Sequence, residues 1–214
     1  MKPEDRFPLL VLACTAAVVV VSGIQPKDRF TWWLEVAPIL LAAPLLVLTY
    51  RRFPLTTLMY ALLALHACVL SLGGHYTYAE VPLGFWAQKV FHFSRNHYDR
   101  VGHFMQGFGP AILVREVLLR TTALRRGKML FFLVVCVALA FSAVYELVEW
   151  WAALLSGEGA TAFLGTQGDV WDTQWDMFMC TCGAIVSQLA LARVHDRHLA
   201  RLVGAASGSD GIGA

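Results

Sequence analysis

Long apolar blocks almost free of charge constrain this chain more than any other feature in it. A helix crosses a hydrocarbon core of about 30 Å with roughly 20 apolar residues, at 1.5 Å per residue. Six blocks meet that length: residues 8–24, 32–50, 55–72, 97–119, 129–155 and 170–192. Composition agrees, with 57% of the 214 residues hydrophobic and 15% charged, where a soluble domain carries about a quarter charged. Pro38 and Pro44 fall inside the second block, where a membrane helix tolerates them. The expected fold is therefore all-α, a polytopic membrane bundle of about six helices. It forms one domain over residues 1–201, with no module large enough to fold in water. The first block has a second reading as a signal peptide, because Lys2 and Arg6 precede it and Val21-Ser22-Gly23 resembles a cleavage site. Its apolar run is longer than the usual 7–15 residues or so of such a peptide, which favours a retained span.

Basic residues choose the orientation. One set of block ends carries eleven: Lys2, Arg6, Arg51, Arg52, Arg120, Arg125, Arg126, Lys128, Arg193, Arg197 and Arg201. The opposite ends carry four: Lys27, Arg29, Lys89 and Arg95. Both termini are thus expected in the cytoplasm, which an even number of spans requires. Cys14, Cys68, Cys136, Cys180 and Cys182 all fall in apolar blocks. An odd count there argues against a disulfide framework, and free core cysteine is the expectation. Cys180 and Cys182 lie on nearly opposite sides of a helix, which disfavours joint ligation.

Three connections are expected outside. The second, residues 73–96, is rich in aromatics (Tyr76, Tyr78, Phe85, Trp86, Phe91, Phe93) and suits an interfacial helix. The third, residues 156–169, holds four glycines and reads equally as a lid, a re-entrant turn or a plain connection. Trp150, Trp151, Trp171 and Trp175 lie at the depth of an aromatic belt. Residues 202–214 are small and polar and are expected to be disordered.

Depth counting then gathers the ionisable residues. Asp99 and His103 lie 21 and 17 residues before Arg120, about 31 and 26 Å from that end. Glu146 and Glu149 lie 17 and 20 residues beyond Met129, about 26 and 30 Å along their helix. Asp172 and Asp176 lie 21 and 17 residues before Arg193, again about 31 and 26 Å. Six ligand-type side chains from three helices thus share one level near the outer interface. The spacings are i,i+4, i,i+3 and i,i+4, so each pair lies on one helix face. Facing pairs of this kind build metal sites in helical bundles. Asp169, His97, Tyr145 and Gln174 are candidates for the same level, and Arg100 is expected off the Asp99/His103 face, balancing charge or meeting a headgroup.

Five carboxylates (Asp99, Glu146, Glu149, Asp172, Asp176) against one arginine and one histidine leave a negative excess that a divalent cation offsets. Oxygen-rich ligation with one histidine suits Mg, Mn, Ca or Zn. An interfacial cap explains any one acid, since Asp99 and Asp172 each lie near a helix start. It explains Glu146 and Glu149 poorly, because they approach a helix C-terminus, where the dipole disfavours acids. Near the opposite end, Arg115-Glu116 reads as a local ion pair with a snorkelling arginine, or as a glutamate buried against another helix.

Three stretches carry a family resemblance: "NHYDRVGHFMQGFGPAILVRE", "SAVYELVEWWAAL" and "FLGTQGDVWDTQWDMFMCTCGA". They resemble the YjdF-type family of bacterial inner-membrane proteins, a domain of unknown function, over most of the chain from the second block to the sixth. The Asp–His, Glu and Asp–Asp–Gly order is more loosely similar to VanZ-like membrane proteins. The resemblance implies a multi-pass protein of the bacterial inner membrane and supplies no reaction.

Three functions fit these residues. The first is a metal-dependent hydrolase or transferase on a lipid or lipid-linked substrate, with His103, Glu146 and Asp176 as the catalytic groups. Asp99, His103, Glu146, Glu149, Asp172 and Asp176 would be its metal ligands. The second is a structural or regulatory protein whose charged or metal-bound cluster ties helices together. The third is a cation- or proton-coupled transporter, against which only Glu116 offers a stepping stone inward. The expected partners are membrane lipids, not nucleic acid.

Overall fold

A computed structural model describes residues 3–156 and 166–209. It is all-helical, with no strand among the described residues. The helices are α1 (Pro3–Ser22), α2 (Arg29–Thr49), α3 (Thr57–Tyr76), α4 (Pro82–Phe91), α5 (Tyr98–Thr121), α6 (Lys128–Ser156) and α7 (Asp172–Ser209), with a 3-10 turn at Tyr78–Glu80. Five of them, α1, α2, α3, α6 and α7, are long and apolar enough to cross a membrane. The six expected blocks thus all appear as helices, but α5 is not among the apolar five. Asp99, Arg100, Arg115, Glu116 and Arg120 interrupt it, and twelve of its 24 residues are buried inside the bundle.

α5 is the centre of the fold, packed by α3, α6 and α7. It runs alongside the whole of α3. At one end the Tyr98 hydroxyl donates to the Val69 carbonyl at 3.0 Å. At the other, Arg120 donates to the Pro54 carbonyl at 2.6 Å, just before α3 begins. The closest approach is between α5 and α7. A Cβ on Gly107 would stand 1.8 Å from the Cys180 carbonyl oxygen, and one on Gly183 would stand 2.0 Å from that of Phe104. Small residues that let two backbones touch are the usual glue of membrane helices, where lipid tails remove any hydrophobic drive to associate.

Caps and wedges set the ends. Asp28 accepts from the Thr31 N–H at 2.6 Å and starts α2; that N–H holds its carboxyl below the usual carboxylate range. Asn96 starts α5 by accepting from the Tyr98 N–H at 3.0 Å. Tyr78 wedges between α3 and α5, against Gly73 and Gly102, where added Cβ atoms would meet its ring at 2.2 and 2.4 Å. The aromatic connection does contain a helix, α4, which exposes Leu83, Phe85, Trp86, Val90 and Phe91.

One expectation changes. The helix of the sixth block, α7, begins at Asp172 and runs on to Ser209, through residues 202–209, which composition alone marks as disordered. Its turns continue a well-packed helix already propagating through His195, and extending a helix is far easier than starting one. Most of the glycine-rich connection, residues 157–165, lies outside the described residues, as do residues 210–214.

Candidate functional site

One end of the bundle, here called the acidic end, gathers side chains from α2, α5, α6 and α7. The start of α5 brings in Asp99, Arg100 and His103, all buried. The end of α6 brings Glu146 and Glu149, and the start of α7 brings Asp172 and Asp176. All six residues expected at this level are therefore found there. They divide, however, into two sets with different chemistry.

The first set is organised by arginine. Arg100 donates to Asp172 Oδ1 at 2.6 Å and to Asp169 Oδ2 at 3.2 Å, and it pairs with Asp176. Arg95 adds a bond to the same Asp172 oxygen at 2.9 Å and one to the Thr166 carbonyl at 2.8 Å. Gln167 closes this corner, donating to the Asn96 carbonyl at 2.8 Å. Of the two roles expected for Arg100, balancing charge is the one observed. It does not meet a headgroup but is the buried centre of four ion pairs, the fourth to Asp99 Oδ2 at 3.4 Å. A step of one residue turns a helix by only about 100°, and a guanidinium on a three-carbon stem spans that turn with several donors in a fixed fork.

The second set surrounds His103. Its Nε2 lies 3.5 Å from Asp99 Oδ1 and 3.7 Å from Asp176 Oδ1, and its Nδ1 lies 3.8 Å from Glu146 Oε1. Gln106 Oε1 is nearer, 3.1 Å from Nδ1. Ligand-type atoms of Asp99, His103 and Asp176 all lie within 4.8 Å of one another, as do those of His103, Glu146 and Glu149. Asp172 belongs to neither group, because Arg95 and Arg100 occupy it. Glu146 Oε1 is buried with no hydrogen-bond partner in the protein, and so is the Tyr145 hydroxyl. A buried carboxylate oxygen without a donor is costly, so it points to a cation or a water.

Glu35 on α2 is a residue that sequence reasoning missed. It is 5% exposed, faces the Tyr78 hydroxyl, and interacts electrostatically with Asp99 and His103. Its signal was its position: a lone carboxylate inside an apolar block is expensive unless it meets a partner in the bundle. With Glu35 and Asp169, seven carboxylates meet two arginines and one histidine, so the negative excess persists after every ion pair is formed.

The opposite end holds a second buried network. Glu116 accepts from the Thr56 N–H at 3.0 Å and its hydroxyl at 2.8 Å, bracing the residue that caps α3. It also accepts from Arg120 at 2.9 Å. His195 Nε2 lies 3.0 Å from Glu116 Oε2, while Arg115 donates to His195 Nδ1 at 2.6 Å and to Asp196 at 2.8 Å. Of the two readings of Arg115-Glu116, burial against other helices is the one observed, and Arg115 is itself buried.

Comparison with known proteins places this arrangement. The chain is 53% identical over 184 residues to the inner membrane protein YjdF of Escherichia coli strain K12, covering 86% of this chain and 88% of that protein. No solved structure matches it. The family model described as "Predicted membrane protein (DUF2238)" matches residues 7–197. This chain, an integral protein of the inner membrane, therefore belongs to the DUF2238 family.

Proposed function

We propose that the acidic end binds a divalent cation and serves hydrolysis or group transfer on a lipid or lipid-linked substrate at the outer leaflet. One observation carries this reading: Glu146 Oε1, buried and unpartnered, shares a 4.8 Å group with His103 and Glu149. His103, Glu146 and Glu149, with Asp99, are the ligand set the geometry favours. Asp172, and in large part Asp176, belong instead to the arginine corner. A divalent ion bound there would supply Lewis acidity and an activated water. Around it, Asp99 and Gln106 fix the His103 ring, and Arg100 holds the α7 carboxylates in place. Exposed Trp171 and Trp175 border the site and offer a surface at headgroup depth.

The same reading takes α5 as a sixth span, with both termini cytoplasmic and the acidic end outward. α5 matches the length of α3 from end to end, and the basic residues crowd the opposite end. α1 is a retained helix in this reading: Ser22 accepts from the Trp32 indole at 3.0 Å, and its carbonyl meets His75 Nδ1 at 2.9 Å.

The pairing of Arg100 with Asp169, Asp172 and Asp176 favours a second reading, a cluster that only ties α5 to α7. Metal analysis of protein purified mildly in detergent separates the two. Stoichiometric metal in the wild type, lost in Glu146→Gln protein that still unfolds cooperatively, is the expected result. A metal-free wild type would leave the tie alone standing, and metal retained by Glu146→Gln would overturn Glu146 as a ligand. Release of product from extracted inner-membrane lipids by the metal-loaded protein then tests the reaction.

A further inference from the structure

The two charged networks lie at opposite ends of one seam, formed by α3, α5 and α7, and that seam is not uniformly apolar. Gly109 lies six residues after His103 and seven before Glu116 on α5, about 9 and 10 Å from each. Opposite it stands His66 of α3, whose Cβ is 3.8 Å from where a Gly109 side chain would begin. His66 Nε2 is buried with no hydrogen-bond partner in the protein, and the ring interacts electrostatically with His103. Ser187 on α7 is fully buried, and its Oγ is likewise unpartnered. Ser187, Leu191 and His195 follow one another at i, i+4 and i+8, on one face of α7. That face meets α3, because Leu191 packs against the cluster formed by Leu55, Met59, Tyr60, Leu62 and Ile112.

From the acidic end the seam therefore reads His103 and Gln106, then His66 and Ser187, then an apolar plug of Met59, Leu62, Ile112 and Leu191. Beyond the plug come His195 and Glu116. An ionisable side chain at mid-depth in a membrane helix is expensive and seldom idle. Water is the partner that buried, unpaired Nε2 and Oγ atoms take.

We propose that this seam conducts protons between the two networks, with His66 as the relay at mid-path and the Ile112 plug as its constriction. In each transfer a hydronium on the acidic side gives His66 a proton on one ring nitrogen, and the other nitrogen gives its proton to a water that threads the plug and passes it to His195 or Glu116. The imidazole is left neutral in its other tautomer, and ring rotation restores it. One proton moves, and only N–H and O–H bonds change. This activity is separate from the metal chemistry proposed above and does not rest on it.

The test uses the full chain in vesicles of phosphatidylethanolamine and phosphatidylglycerol, with a pH-sensitive dye trapped inside and a potassium diffusion potential as the driving force. Wild-type vesicles are expected to change internal pH faster than protein-free vesicles, and His66→Phe is expected to return the rate to the protein-free level. If His66→Phe fails to insert, His66→Gln decides: it keeps a polar group of similar reach but cannot pass a proton through. A wild-type rate equal to that of protein-free vesicles overturns the proposal, as does wild-type flux in the folded variant.

Discussion

At the residue scale the decisive side chain is Arg100, which serves Asp169, Asp172 and Asp176 while buried. Removing one partner of a buried ion pair leaves the others uncompensated and costs about 3–5 kcal/mol. Arg100→Ala should therefore lower the unfolding temperature in detergent sharply, and Arg100→Lys should recover only part, since an ammonium lacks the guanidinium fork. Equal stability of Arg100→Ala and wild type would show that its ion pairs contribute nothing. At the other end, Glu116→Ala removes the acceptor of the Thr56 N–H and hydroxyl and leaves His195 facing a gap; a loss of about 1–3 kcal/mol is expected for the unsatisfied buried donors. Asp28 acts through a folded-state pKa below its ordinary value. Its contribution is present above the ordinary carboxylate range and fades as pH falls through the lowered value. Asp28→Asn should flatten that acid-side decline in a pH series of melting temperatures, while costing little at neutral pH because Asn also caps.

Elements were legible in the sequence to the extent that each is a local apolar run. All six blocks became helices, because the hydrophobic signal and the backbone's need for internal hydrogen bonds act on the same stretch of chain. The depth match of Asp99/His103, Glu146/Glu149 and Asp172/Asp176 was legible for the same reason, since helical rise converts residue counts into height. The partners were not legible. Which carboxylate Arg100 takes depends on how α5 and α7 are rotated against each other, and Glu35 reaches the cluster only through the packing of α2 on α3. That rotation is set by Gly107 and Gly183, whose missing side chains admit the neighbouring carbonyls. Leucine at either position should force the helices apart and cost at least the 1–3 kcal/mol or so typical of overpacking. The variant's urea or thermal midpoint in detergent reads this directly, and an unchanged midpoint would mean that the close approach is unimportant.

For the whole molecule, sidedness has a direct handle in α7. Its 38 residues make a rod of about 57 Å, well beyond a 30 Å core, so its last turns stand clear of the membrane. Gly204 has nothing within 4 Å of a Cβ, and in a cysteine-free background Gly204→Cys should react with an impermeant maleimide only after spheroplasts are lysed. Reaction in intact spheroplasts would reverse the orientation, putting the acidic end inside. The contact between α5 and α7 also bears on motion. Two backbones in touch at Gly107 and Gly183 leave nothing compressible between them, so these helices travel as one body. Glu146 and Glu149 ride on α6 instead. Any breathing of the acidic end is therefore a swing of α6 away from the α5–α7 pair, drawing the two glutamates from His103 while Arg100 keeps its aspartates.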